Sequence, residues 1–198
     1  MKKSFLNELL KAIENNDIDF LYKNKSKYDI NSRINENDND TLLLHSIAFA
    51  KDEVVDFLVA NGANINLTNN EGENAIHSAV YSGSINRLDK IYNQFKVEAN
   101  LQTNDGTTPL LLAVSLGKLD IAKKLIKFGV DINKCDNEGN SPLHLSCFFG
   151  YIELSKLLIE NGANILQKTQ KGNFPMALAV NNEHHEIVKY LFKIIYQS

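Results

Sequence analysis

The sequence predicts an all-α solenoid of stacked helix pairs, and three regularities carry that prediction. Only three prolines occur, Pro109, Pro142 and Pro175, at intervals of 33 residues. All ten glycines fall on three phases of the same period: Gly72, Gly106, Gly139 and Gly172; Gly83, Gly117 and Gly150; and Gly62, Gly129 and Gly162. Between them, apolar residues recur at helical spacing. Residues that fix backbone geometry at such a period mark stacked supersecondary units, each too small to bury its own apolar face.

The elements are most legible between Thr103 and Lys134. Asn104-Asp105-Gly106 is a turn signal, with Gly106 able to take a positive φ. Thr108-Pro109 sets an N-cap hydroxyl before a proline at the first helical position. A short helix carrying Leu110, Leu111, Leu112, Ala113 and Leu116 runs to Gly117. A second helix places Leu119, Ala122, Leu125 and Ile126 on one face and ends at Gly129. Val130-Asp131-Ile132-Asn133 then leads to the next turn. The following unit repeats each step, with Asp136-Asn137-Glu138-Gly139, Ser141-Pro142-Leu143-His144, Gly150, the Leu154/Leu157/Leu158 face and Asn161-Gly162-Ala163-Asn164.

These residues resemble the ankyrin repeat. The resemblance rests on the 33-residue period, on Ser141-Pro142-Leu143-His144 and Thr108-Pro109-Leu110, on Gly-Ala-Asn-Ile at 62–65 and 162–165, and on Asp-Ile-Asn at 29–31 and 131–133. It implies a single domain over 1–198, with helix–turn–helix units at about 1–34, 35–67, 68–101, 102–134, 135–167 and 168–198. The first and last units would be caps, and hairpin fingers would project at about a right angle to the helices. His77 and His144 occupy the family's motif histidine, which implies hydrogen bonding to neighbouring loop backbone.

Several positions depart from the pattern. Asn39 stands where glycine is usual and is the next-best residue for a left-handed turn. The third unit has one extra residue and lacks the Gly-Ala pair, which predicts a local bend or a distorted second helix. Glu183 replaces the helix-ending glycine of the sixth unit. The terminal segment Tyr190–Tyr196 is apolar for a cap, and burial of this final helix is the reading favoured over a dimer contact.

Composition excludes much else. The net charge of -3 makes no electrostatic case for nucleic acid or anionic lipid, and no apolar run is long enough to span a bilayer. Two cysteines are no disulfide framework and suit a reducing compartment, so a cytoplasmic location is expected, with delivery into a host cell as the alternative. The 26 asparagines, and 19 lysines against only Arg33 and Arg87, read as the mark of an AT-rich genome. No phosphate-binding loop, zinc-spaced histidine pair or nucleophile–base arrangement occurs, so no enzyme activity, metal or cofactor is expected. Cys147 reads as a small buried hydrophobe and Cys135 as more exposed.

The expected function is non-catalytic binding of a partner protein or peptide by a monomer. The alternative is a regulatory or host-directed targeting subunit that positions an enzyme carried on another chain. The resemblance implies docking on the concave side, formed by the fingers and the exposed end of each first helix. Those ends are Glu14-Asn15, Ala48-Phe49, Tyr81-Ser82, Ser115-Leu116, Phe148-Phe149 and Asn181-Asn182. The central ones carry Phe49, Tyr81, Leu116, Phe148 and Phe149, residues suited to anchoring an interface. The competing reading packs some of these rings inward, and one of the adjacent pair Phe148-Phe149 is expected to be buried. Finger acids Glu36, Asp38, Asp40, Glu71, Glu73, Asp105, Asp136 and Glu138 would favour a partner with Lys or Arg beside apolar anchors. They equally suit a merely solvated edge. Basic finger residues are confined to Lys134, Lys168 and Lys171.

Overall fold

The computed structural model describes residues 3–34 and 39–197. Glu36 and Asp38 therefore lie outside the described residues. Within them are twelve α-helices and no strand, with one isolated antiparallel bridge between Arg33 and Thr41. The chain divides into two compact units, Met1–Glu98 and Ala99–Ser198, and each holds three helix pairs.

In the first unit the pairs are α1 (Lys3–Glu14) with α2 (Ile18–Lys23), α3 (Leu42–Phe49) with α4 (Asp52–Ala60), and α5 (Ala75–Ser82) with α6 (Ile85–Phe95). Helix α3 packs between α1 and α5. In the second unit α7 (Pro109–Ser115) pairs with α8 (Leu119–Lys127), α9 (Pro142–Phe149) with α10 (Ile152–Glu160), and α11 (Pro175–Asn181) with α12 (His185–Gln197). Helix α9 lies between α7 and α11, and α10 between α8 and α12. Each core is built from the facing apolar stripes, with Leu43, Ile47 and Ile76 buried in the first unit and Leu110, Ala113 and Leu143 in the second.

The helix starts follow from their caps. Thr41, Thr108 and Ser141 each accept a hydrogen bond from the backbone N–H three residues on, and Asn74 accepts from Ile76 and His77. All three prolines sit in the first turn of a helix. His77 and His144 reach back to their N-cap residues in a capping box. The Nε2 of His144 also donates to the Asn173 carbonyl of the next finger at 3.1 Å, as the resemblance implies.

The departures have local solutions. Asn16, Asn39, Lys96 and Glu183 all adopt positive φ, between 53° and 60°, at turns where other repeats place glycine or asparagine. The extra residue of the third unit is taken up in its second helix, which is one uninterrupted helix. That helix, α6, has 11 residues, against nine in α4, α8 and α10, and Lys96 ends it in the left-handed region. The final helix is only partly buried: Ile187 and Leu191 enter the core, whereas Phe192 and Tyr196 face solvent.

Fingers are tight turns closed by the side chain at one recurring register. Asn69, Thr103, Asp136 and Thr169 each accept from the backbone N–H four residues on. Consecutive fingers of the second unit are tied by backbone bonds from Asn137 to Asp105 and from Gln170 to Glu138, both 2.9 Å. The loops that follow α8 and α10 are tied as well, as Asn133 Oδ1 accepts from the Asn164 N–H at 2.7 Å.

Candidate partner-binding surface

The five apolar residues singled out from the sequence are all exposed, each within its own unit. In the first unit Phe49 ends α3 with 69% of its surface exposed, its ring 5.1 Å from that of His45. Tyr81, one residue before the end of α5, donates its hydroxyl hydrogen to Glu73 at 3.0 Å. The amide of Asn69 donates to both Glu73 and Asp40, at 2.8 and 2.9 Å. Aromatic ring, carboxylates and finger amide are thereby held as one network.

In the second unit Leu116 caps α7, and Phe148 and Phe149 end α9. The inward turn expected for one of the two phenylalanines does not occur. Both are exposed, at 45% and 42%. At this end of α9 the buried positions go to Ser146 and Cys147, and Gly150 turns the chain immediately after. The two rings instead meet edge to face at 5.0 Å, and Phe149 stacks on Tyr151 at 5.6 Å.

Beside these rings lies an open cleft of about 270 Å³, lined by Phe148, Phe149, Leu145 and Leu178 and flanked by Glu138 and Lys171. Lys171 stands 33 residues after Glu138, at the same finger position, so consecutive fingers carry opposite charges there. The period contained that signal, although Lys171, Leu145 and Leu178 were not among the sequence-derived site residues.

The acidic finger residues divide by their bonding. Asp40 and Glu73 serve the Asn69 network. Asp105 accepts from the Thr103 hydroxyl and from the Thr107 N–H, and the Thr103 hydrogen bond first among these holds its carboxyl below the usual range. Glu71 and Glu138 are exposed.

No reactive constellation appears among the described residues. Burial pushes the Cys147 thiol up to about 12, and burial followed by Asp136 and Asp131 raises that of half-buried Cys135. Among the described residues no group of three or more His, Cys, Asp or Glu side chains is placed to hold a metal ion, and no helix there is long and apolar enough to cross a membrane.

Comparison with known families matches residues 86–169 to a model described as ankyrin repeats in three copies, and residues 43–90 to one described as ankyrin repeats in many copies. Among curated proteins, an ankyrin repeat protein of fowlpox virus (strain NVSL) is 38% identical over 77 residues, which is 36% of this chain and 22% of the viral protein. The match thus spans only about a fifth of that relative's length.

Proposed function

Since the chain belongs to the ankyrin repeat family, we propose that it is a non-catalytic module that grips a peptide segment of a partner protein. Ankyrin repeats are generally protein–protein interaction modules, so the class of function comes with the family. The observation that carries the finer reading is the cleft beside Phe148 and Phe149, where apolar walls meet a flanking acid and base. A cleft of about 270 Å³ suits one large apolar or aromatic side chain. Glu138 selects a neighbouring Lys or Arg on the partner, and Lys171 a neighbouring acid.

Leu116, exposed at the end of α7, serves as a further anchor in the second unit. In the first, Phe49 and Tyr81 serve as anchors at the corresponding helix ends, with Asp40, Glu71 and Glu73 as their acidic surround. Asp105 holds its finger in shape as much as it offers charge. The hydrogen-bonded fingers support a preformed surface that binds with little rearrangement. Two free cysteines support a reducing compartment such as the cytoplasm.

Selection of displayed random peptides on the full chain tests this reading. Enriched peptides should share a large apolar residue flanked by charge, and Phe148→Ser should weaken them at least about tenfold, the loss typical of a central aromatic anchor. Enrichment that Phe148→Ser and Lys171→Glu leave untouched would place the binding elsewhere.

A further inference from the structure

Two fingers bond together the side chains that stand four residues apart, and a third breaks the pattern. Asn69 Nδ2 donates to Glu73 at 2.8 Å, and Asn140 Nδ2 donates to Asp136 at 2.9 Å. The finger at 169–173 has Thr169 at the register of Asp136 and Asn173 at that of Asn140. The shorter Thr169 hydroxyl accepts from the Asn173 N–H at 3.2 Å and leaves the Asn173 side chain unserved. Among the described residues the Asn173 carboxamide has no hydrogen-bond partner. Its main chain is nonetheless fixed, since the Asn173 carbonyl accepts from the Thr169 N–H at 3.0 Å and from His144 Nε2 at 3.1 Å. A half-buried asparagine on a rigid base thus lines the cleft of Phe148 and Leu178 with its amide donor and its acceptor both unspent.

We propose that Asn173 is the main-chain clasp of this cleft and that the partner segment binds there in an extended conformation. This deepens the peptide-binding reading above and rests on it. In an extended chain the N–H and C=O of one residue point to the same side, as in a hydrogen-bonded strand pair. One carboxamide accepts from the first and donates to the second. A helix offers no such pair, because its N–H and C=O groups are bonded to one another within it. An occupant that covered the cleft without bonding Asn173 would strip water from an amide and leave it unpaired, which disfavours a helical or wholly apolar ligand. The charges fit the same segment. Side chains of a strand alternate, so residues two before and two after an apolar anchor face the way it does, and these are the positions that Glu138 and Lys171 read from either finger.

The test uses fluorescently labelled synthetic copies of peptides enriched by display on the full chain, titrated by anisotropy. Asn173→Ala should bind them roughly three- to tenfold more weakly, the effect of one or two hydrogen bonds. Its melting curve should be unchanged, because the carboxamide bonds nothing within the chain. Methylating the peptide's main-chain nitrogens one at a time should find a position that weakens binding to the wild type by a similar factor and to Asn173→Ala hardly at all. That coupling is one a merely structural residue would not produce. The enriched peptides should carry their charges two residues from the apolar anchor. Undiminished binding by Asn173→Ala, or charges that recur three or four residues from the anchor as on a helix, overturns the proposal and leaves the apolar anchor standing. Peptides that Phe148→Ser binds as well as the wild type does overturn the cleft reading and the clasp with it.

Discussion

Arg87 on α6 donates from Nε to the carboxylate of Asp52 on α4 at 2.7 Å, and its terminal nitrogens reach the carbonyls of Ile47 and Ala50 at 2.7 and 2.6 Å. Those carbonyls close the C-terminal end of α3, which has no glycine cap; Ala50 there is extended. One guanidinium thus joins three helices of the first unit, and its positive charge sits at the helix end that favours it.

Replacing Arg87 with methionine keeps the aliphatic stem but leaves two buried carbonyls without their donor. The expected loss is about 2–4 kcal/mol, the range for removing hydrogen bonds to a charged group at a largely buried site. Arg87→Lys should recover less than half of it, because a single ammonium does not span the fork of acceptors. Urea denaturation of the three proteins measures the difference.

Gly139 is a second point of tight coupling. Its φ is +82°, and a Cβ there would lie 2.8 Å from the backbone nitrogen of Gln170, which donates to the carbonyl of Glu138. Gly162 has a similar φ of +93° with nothing within 4 Å of its Cβ position. Gly162→Ala should therefore cost about 1–2 kcal/mol of left-handed strain alone. Gly139→Ala should cost at least about 1 kcal/mol more, as the finger-to-finger bond must shift to relieve the overlap. Equal costs in a thermal melt would show that the fingers are not coupled.

Much of this was readable beforehand, and the unreadable part has a physical cause. Backbone punctuation is local, so the turns at Gly106 and Gly139, the N-caps Thr108 and Ser141 and the left-handed Asn39 follow from the sequence. Arginine scarcity, by contrast, reads as codon bias. Yet Arg87 ties three helices, and Arg33 donates to the carbonyls of Asn39 and Thr68, each bridging residues distant in sequence. The same limit applies at the surface. Exposure of Phe148 and Phe149 depends on where α9 stops relative to its neighbours, and the cleft needs Leu178 and Lys171 from the next repeat. Lys96 ending α6 was hidden because no sequence rule favours lysine at a positive φ.

Acid should loosen the fold through its buried histidines. The Nδ1 of His144 accepts from the Ser141 N–H at 3.1 Å, so the ring is neutral with its proton on Nε2, which donates to Asn173. Burial holds its pKa below the ordinary value, and burial likewise lowers that of His45, whose Nε2 is buried without a hydrogen-bond partner. A histidine depressed in the folded state binds its proton more readily when unfolded. Its contribution is therefore fully present above about pH 6.5, the unfolded value, and is lost as the pH falls below it. Denaturation midpoints should fall from pH 7.5 to pH 5, on the order of the window set by the unfolded value. His144→Asn, less stable at neutral pH, should show a shallower fall.

The aromatic residues proposed as anchors make the sharpest contrast between surface and core. Phe49 is 69% exposed at the end of α3, whereas Ile47 two residues earlier is fully buried. Phe49→Ser should change stability by no more than about 0.5 kcal/mol, the usual limit for a surface substitution. Ile47→Ala should cost about 2–5 kcal/mol through the cavity it leaves. Phe148→Ser should behave like Phe49→Ser, because its ring meets Phe149 and the open cleft rather than the core. Tyr81→Ser should cost somewhat more, about 0.5–1.5 kcal/mol, as Glu73 loses a hydrogen-bond donor. Urea midpoints for the four variants decide the matter. A loss at Phe49 or Phe148 comparable to that at Ile47 would return the rings to the core and remove the anchor surface with them.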